Sequence, residues 1–266
     1  RVLLAILIIA SISAAIYIQW KNKVYETYVV NTSVSKQEIS GASTLELDGR
    51  VLTYSRNGIS VMDTQGVAIW NQTFEMQQPV LRKNESFVAI ADYNGRTIYL
   101  ADTTGVKVQV NTSLSIKDFV VSREGYLAAI LEDGDVNKIL LYKPQGEEVV
   151  RFQTSLEQTG YPFALSFSQN SELLAVSYLK TSGEQIVSSV AFYNFGDVGQ
   201  NVSDKLVGGY DYADTIVPNL YHLDQDTAVA VADNRLMFYE GKQKPVSFLE
   251  TILLDPVHSV FCQNGY

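Results

Sequence analysis

Ile59-Ser60-Val61-Met62-Asp63-Thr64-Gln65-Gly66-Val67-Ala68-Ile69-Trp70 decides the fold. It reads as two short strands joined by a tight turn. Ile98-Tyr99-Leu100-Ala101-Asp102-Thr103-Thr104-Gly105-Val106 repeats the pattern, and in both copies Asp-Thr-x-Gly ends the first strand. An Asp at the start of a type I turn accepts a local backbone hydrogen bond. The Gly then takes the left-handed conformation that closes a hairpin with a bulge.

Working outward, the same unit recurs as strand, turn, strand, turn, strand, glycine turn, strand. Asp48-Gly49 and Asn57-Gly58 punctuate the first copy, and Asn84-Glu85 and Asn94-Gly95 the second. Gly125 and Gly134 turn the third, Gln169-Asn170-Ser171 the fourth, and Asp224-Gln225-Asp226 with Asp233-Asn234 the fifth. The glycines that close the last hairpin of each unit are Gly66, Gly105, Gly146, Gly196 and Gly241, spaced by 39, 41, 50 and 45 residues. A period near 40 with four short strands per unit predicts a β-propeller. A β-sandwich also has short strands, but it does not repeat one turn chemistry at a fixed period. Ala89, Ala91, Ala128, Ala129, Ala228 and Ala230 follow the second-strand turns and suit crowded strands.

Sixteen Tyr and 11 Phe, with many β-branched residues, fit half-buried strands better than helices. The net charge of -9 repels a phosphate backbone, so nucleic acid is not an expected partner. Cys262 is the single cysteine, so no intrachain disulfide forms and the core must hold the fold. It sits in the apolar run 257–262 and reads as a packed strand residue.

Val2 to Ile18 is almost wholly apolar, interrupted by Ser11 and Ser13. As a helix it would span about 26 Å, close to the hydrocarbon thickness of a bilayer. Tyr17, Trp20 and Tyr25 stand where an interfacial aromatic belt would be. Ser13-Ala14-Ala15 offers a peptidase site, so a cleavable signal is the rival reading. The apolar run continues past that site into Ile16-Tyr17-Ile18, which favours an uncleaved anchor. Lys21 and Lys23 outnumber Arg1 and on their own argue for a cytoplasmic body. The chain begins at Arg, so that count is incomplete, and the expectation is a single-pass protein of the bacterial cell membrane with an extracytoplasmic propeller. The expected organisation is a transmembrane helix over 1–20, a stalk over 21–41 and blades over 42–266. The stalk holds a β-prone patch, Tyr28-Val29-Val30, which could also be an outer strand closing the ring. Five units are readable. Val257 to Cys262 reads as the first strand of a sixth, so the expectation is an incomplete ring and a longer gene.

Two resemblances follow. Asp63, Gly66 and Trp70 resemble the Asp, turn Gly and Trp of WD-like and bacterial quinoprotein-like propellers, although the Asp-to-Gly spacing is one residue short. The second copy has Val110 near the Trp position. This resemblance implies blade structure and lends no support to quinone binding. The segments 28–34 (YVVNTSV), 49–79, 91–105 (ADYNGRTIYLADTTG) and 123–135 (REGYLAAILEDGD) are similar to an uncharacterised family of single-pass bacterial proteins, seen mainly in Firmicutes. That resemblance covers nearly the whole chain. It implies an N-terminal anchor and a propeller, and it supplies no activity and no catalytic residues.

Chemistry-bearing motifs are sparse. His222 and His258 have no second ligand at metal-binding spacing. There is no phosphate loop, GxSxG or HExxH. Asp133-Gly134-Asp135-Val136-Asn137 opens like a calcium loop but lacks its later glycine and acidic ligand, and reads as a hairpin turn. The sequons at Asn31, Asn71, Asn84, Asn111 and Asn201 read as incidental in a bacterial chain. Tyr210-Asp211-Tyr212, in a run expected to be an inter-blade loop, could stack on and hydrogen-bond a sugar. No catalytic residue, cofactor or metal is expected. The functional expectation is a non-enzymatic interaction scaffold for an envelope protein or polymer. Glycan or small-ligand binding is the alternative, and a hydrolase or quinoprotein ranks below both.

Overall fold

The computed structural model describes residues 2–22, 41–134, 136–155, 159–260 and 262, with helix side chains at Ile6 and from Ile8 onward. The chain divides into two compact units, Arg1–Gln37 and Glu38–Tyr266. The first contains helix α1 (Val2–Lys21). Among the described residues no helix is long and apolar enough to cross a membrane. The side chains of residues 2–5 and of Leu7, which the expected span includes, lie outside that set. The membrane span is therefore not shown. Residues 23–40, most of the expected stalk, also lie outside the described residues.

Among the described residues the second unit is all-β, built from five four-stranded antiparallel sheets in which sequence neighbours pair in order. The first sheet has β1 (Ser43–Leu47), β2 (Arg50–Ser55), β3 (Gly58–Met62) and β4 (Ala68–Thr73). The second has β5 (Pro79–Asn84), β6 (Phe87–Asp92), β7 (Thr97–Asp102) and β8 (Gly105–Asn111). The third has β9 (Ser115–Val121), β10 (Leu127–Asp133), β11 (Val136–Tyr142) and β12 (Glu148–Ser155). The fourth has β13 (Tyr161–Phe167), β14 (Leu173–Ser182), β15 (Gln185–Asn194) and β16 (Leu206–Ala213). The fifth has β17 (Asn219–His222), β18 (Thr227–Val231), β19 (Arg235–Glu240) and β20 (Val246–Ile252).

The hairpin from β3 to β4 forms by the chemistry of its sequence. Asp63 Oδ1 accepts the N–H groups of Gln65 (2.9 Å) and Val67 (2.8 Å), and Gly66 takes φ 83°. The register slips by one residue between Val61 and Met62. The same slip recurs between the third and fourth strands of every sheet, at Leu100/Ala101, Leu141/Tyr142, Phe192/Tyr193 and Phe238/Tyr239. A bulge kept at one place in each copy marks a structural repeat. Gly196 is the exception among the glycines that set the period. It precedes a short helix, α2 (Asp197–Gln200), with φ -76°, and so closes no hairpin turn.

Hydrophobic layers lie between successive sheets. Ala129 and Leu131 of β10 enter the layer shared with the second sheet, while Ala128 and Ile130 enter the layer shared with the fourth. Alternate side chains of one strand point to opposite faces, so a strand sandwiched between two sheets is apolar at both parities. Alanines keep such strands thin: Ala89, Ala91, Ala128 and Ala129 are fully buried. Val257 to Val260, expected to open a sixth unit, form no strand. Leu253 N–H and Val257 N–H instead bond Asn234 O and Asp233 O (both 2.8 Å), which ties the segment to the turn between β18 and β19. Phe261 and residues 263–266 lie outside the described residues.

Candidate functional site

Each sheet begins with a strand that pairs with another strand along one edge only, and these five strands or their turns line one cavity of about 1240 Å³. Its two walls differ in chemistry. Every charged side chain lining it, among the described residues, comes from the first three sheets: Glu46, Asp48, Arg82, Lys83, Glu85, Asp118 and Arg123. The fourth and fifth sheets contribute uncharged groups, including Leu165, Phe167, Pro218, Leu220 and Tyr221. Val260 and Cys262 also line it.

The charged wall is a chain of ion pairs between sheets. On β5, neighbouring residues point to opposite sides. Lys83 Nζ reaches back to the first sheet, 2.8 Å from Glu46 O and 3.3 Å from Glu46 Oε2. Arg82 reaches forward to the third, with Nη2 2.8 Å from Asp118 Oδ1 and its guanidinium over the Phe119 ring. Arg123 Nε lies 2.8 Å from Glu85 Oε2. The N–H of Gly49, helped by Lys83, holds the Glu46 carboxyl below the usual carboxylate range against the opposing effect of burial. Glu85 sits at φ 43° in the turn between β5 and β6. A non-glycine residue there costs about 1 kcal/mol that Gly would avoid, and the turn nonetheless presents a carboxylate.

The neutral wall is fastened by buried polar groups. Ser166 Oγ on β13 accepts the backbone N–H of His222 (3.1 Å) and lies 3.0 Å from its Nδ1. His222 Nε2 is buried and has no hydrogen-bond partner among the described residues. Its ring stands edge-on to Phe192. Burial lowers its pKa from 6.5 to about 4, opposed by Asp224, so the ring is neutral at pH 7. Behind it, Tyr212 Oη lies 2.8 Å from Tyr239 Oη, and Tyr210 Oη donates to Pro245 O at 2.9 Å.

Tyr210, Asp211 and Tyr212 are thus strand residues of β16, not a loop. The register pairs them with Val190, Ser189 and Ser188. Strand alternation separates them: both tyrosines pack against the layer between the fourth and fifth sheets, while Asp211 is exposed and bonded to Ser189 Oγ. The rings and the carboxylate expected to act together lie on opposite faces. Asp133 of the calcium-like stretch pairs with Lys138 Nζ (2.8 Å), and Asp135 lies outside the described residues. Among the described residues no group of three or more His, Cys, Asp or Glu could hold a metal ion. The cavity charges carry no motif. Their signal in the sequence is positional, because Arg82 and Lys83 interrupt the apolar start of the second repeat.

A family model matches residues 21–266. The chain belongs to DUF5711, a family of unknown function. No curated protein matches it. Among solved structures it is similar to KlHsv2 with loop 6CD replaced by a Gly-Ser linker, at 12% identity and TM-score 0.56, covering 82% of this chain and 73% of that one. It is also similar to Kuenenia stuttgartiensis hydrazine synthase, at 12% identity and TM-score 0.53, over 83% and 68%. The Neurospora crassa Pan2 WD40 domain matches at 16% identity and TM-score 0.50, over 74% and 60%. At these identities the likeness concerns the fold alone. With five sequential four-stranded sheets, it makes this DUF5711 chain propeller-like.

Proposed function

We propose that the chain is a single-pass membrane protein of a bacterial cell envelope whose propeller-like unit is a non-enzymatic recognition scaffold on the extracytoplasmic side. The observation that carries the reading is the surface of α1. Ile8, Ile9, Ile12, Ile16, Ile18 and Trp20 are 49 to 72% exposed. At 3.6 residues per turn they cover one side of the axis, and exposed Ile6, Ala10, Ala14 and Tyr17 complete the circle. A helix apolar all round is stable when buried in protein or lipid, and twenty residues extend about 30 Å, a bilayer's hydrocarbon width. Exposed Tyr17 and Trp20 next to Lys21 fit the membrane–water interface. The recognition role is supported by the cavity to which all five sheets contribute.

The test uses the full-length protein in bacterial cells. Fractionation with carbonate washing is expected to leave it in the membrane pellet, and deletion of 2–21 to release it. Protease added to spheroplasts is expected to digest the sheets. Proximity labelling is expected to recover an envelope protein. A carbonate-soluble full-length protein, or one protected from protease, overturns the anchor or its orientation. Labelling that recovers nothing above an unrelated membrane-tethered control overturns the scaffold.

A further inference from the structure

We infer that the central cavity binds an extended polypeptide segment carrying charges of both signs. This rests on the reading of the chain as a recognition scaffold and names the partner's chemistry. Its first ground is the backbone. Five strands that pair with another strand along one edge only line the cavity. Side chains already engage Glu46 O, Phe119 N–H and His222 N–H; where such an edge is open it offers main-chain donors and acceptors, and an extended peptide supplies the complementary set. A lipid surface supplies none.

The second ground is the order of charges along the wall. Glu46, Lys83, Arg82 and Asp118 follow one another from the first sheet to the third, and Glu85 and Arg123 form a further pair. Each of these side chains is between 29 and 65% exposed, so each retains capacity for a ligand group. A polyanion meets Glu46 and Asp118, a polycation meets Lys83 and Arg82, and a neutral glycan answers neither sign. A chain bearing both acidic and basic side chains answers both. The third ground is the facing wall, where Pro218, Leu220 and Tyr221 offer apolar contact and no charge. A peptide presents one row of side chains to each wall. The volume exceeds the roughly 300–1,000 Å³ of a typical small-molecule pocket.

The experiment pans a phage library of short random peptides against the full chain in lipid nanodiscs. Binding of the recovered peptides is then measured by fluorescence polarisation. Arg82→Glu with Asp118→Arg reverses the polarity of one pair while keeping a pair in place. Lys83→Glu with Glu46→Lys does the same at the neighbouring sheet, and thermal melts of both confirm folding. Recovered peptides are expected to contain both signs of charge, to lose about tenfold or more in affinity for either variant, and to weaken in added salt. Peptides that bind both variants as well as the parent overturn the inference. So does a library that yields no binder, or a panel of neutral glycans that binds in its place. The outcome separates from that of the scaffold reading: an envelope partner still captured by both variants keeps the scaffold and rejects the cavity, and no partner with parent or variants rejects both.

Discussion

The junction between the second and third sheets and the junction between the fourth and fifth hold the same kind of sheets together by different means. The first packs Ala89, Ala91, Ile98, Leu100 and Leu131 with Phe119 and Tyr142, and its ion pairs, Arg82–Asp118 and Glu85–Arg123, are part-exposed. The second encloses polar side chains in two pairs, Ser166 with His222 and Tyr212 with Tyr239, beside Phe192. A polar group inside a core is costly once its partner is lost, whereas an exposed ion pair adds little to folding. The fold therefore depends on the polar links of the fourth and fifth sheets. Those of the second and third contribute little to it, and under the proposed reading they serve recognition.

The largest expected effect tests that dependence directly. Phe192 is fully buried and contacts Tyr239, Tyr210 and His222. Phe192→Ala is expected to destabilise the unit by about 3–5 kcal/mol, read from the urea midpoint. A cost under about 1 kcal/mol would show that the junction relaxes around the gap, and the comparison would fail at its strongest point.

Next is pH. The His222 pKa is about 4 in the folded chain against an ordinary 6.5, because burial disfavours the charged ring. The unfolded chain takes up its proton as pH falls through 6.5, while the folded chain resists until about 4. Stability is therefore lost on acidification across that window and levels off below it. The residue as a whole is half-buried although its Nε2 is enclosed, so a loss of about 2–3 kcal/mol is expected rather than a larger one. His222→Gln should flatten urea-unfolding stability between pH 6.5 and 4 relative to the parent. An unchanged slope would mean that the ring is solvated and that the junction is not closed.

Much of the architecture was legible because turn chemistry is local. Asp63 and Gly66 act within five residues, so their pattern survives in any sheet. Gly196 misled because the fourth connection folds as α2, a choice set by the Gly199 N–H meeting Asn194 Oδ1 at 3.2 Å. The Tyr210-Asp211-Tyr212 stretch looked like a loop because Gly208 and Gly209 precede it. Pairing with β15 makes it a strand, and strand alternation then parts the rings from the carboxylate. The cavity leaves only the positional trace of Arg82 and Lys83 in the sequence. Glu46, Arg82, Lys83 and Asp118 meet across three repeats, through side chains up to 37 residues apart in sequence, and no local pattern records such a meeting.

A smaller loss is expected from Tyr212→Phe. Tyr239 is fully buried, and its Oη bonds the Tyr212 Oη at 2.8 Å. Removing that partner leaves a hydroxyl in the core, at a cost of about 1–2 kcal/mol. Replacing both tyrosines by Phe should recover part of it, because no unpaired hydroxyl then remains. A double variant as unstable as the sum of the singles would show that the two hydroxyls act independently.

The smallest effect belongs to the charged wall. Arg82 is 45% exposed and its partner Asp118 29%, so water and salt screen the pair. Arg82→Gln removes the charge while keeping part of the side-chain stem over Phe119. The expected cost in urea unfolding is under about 1 kcal/mol, shrinking further in high salt. The same substitution should weaken binding of a mixed-charge peptide, because there the guanidinium meets a ligand group rather than only Asp118. If Arg82→Gln instead unfolds the chain as Phe192→Ala does, the ion pair is structural. The two junctions would then be equivalent, and the charged wall would have no freedom to serve a partner.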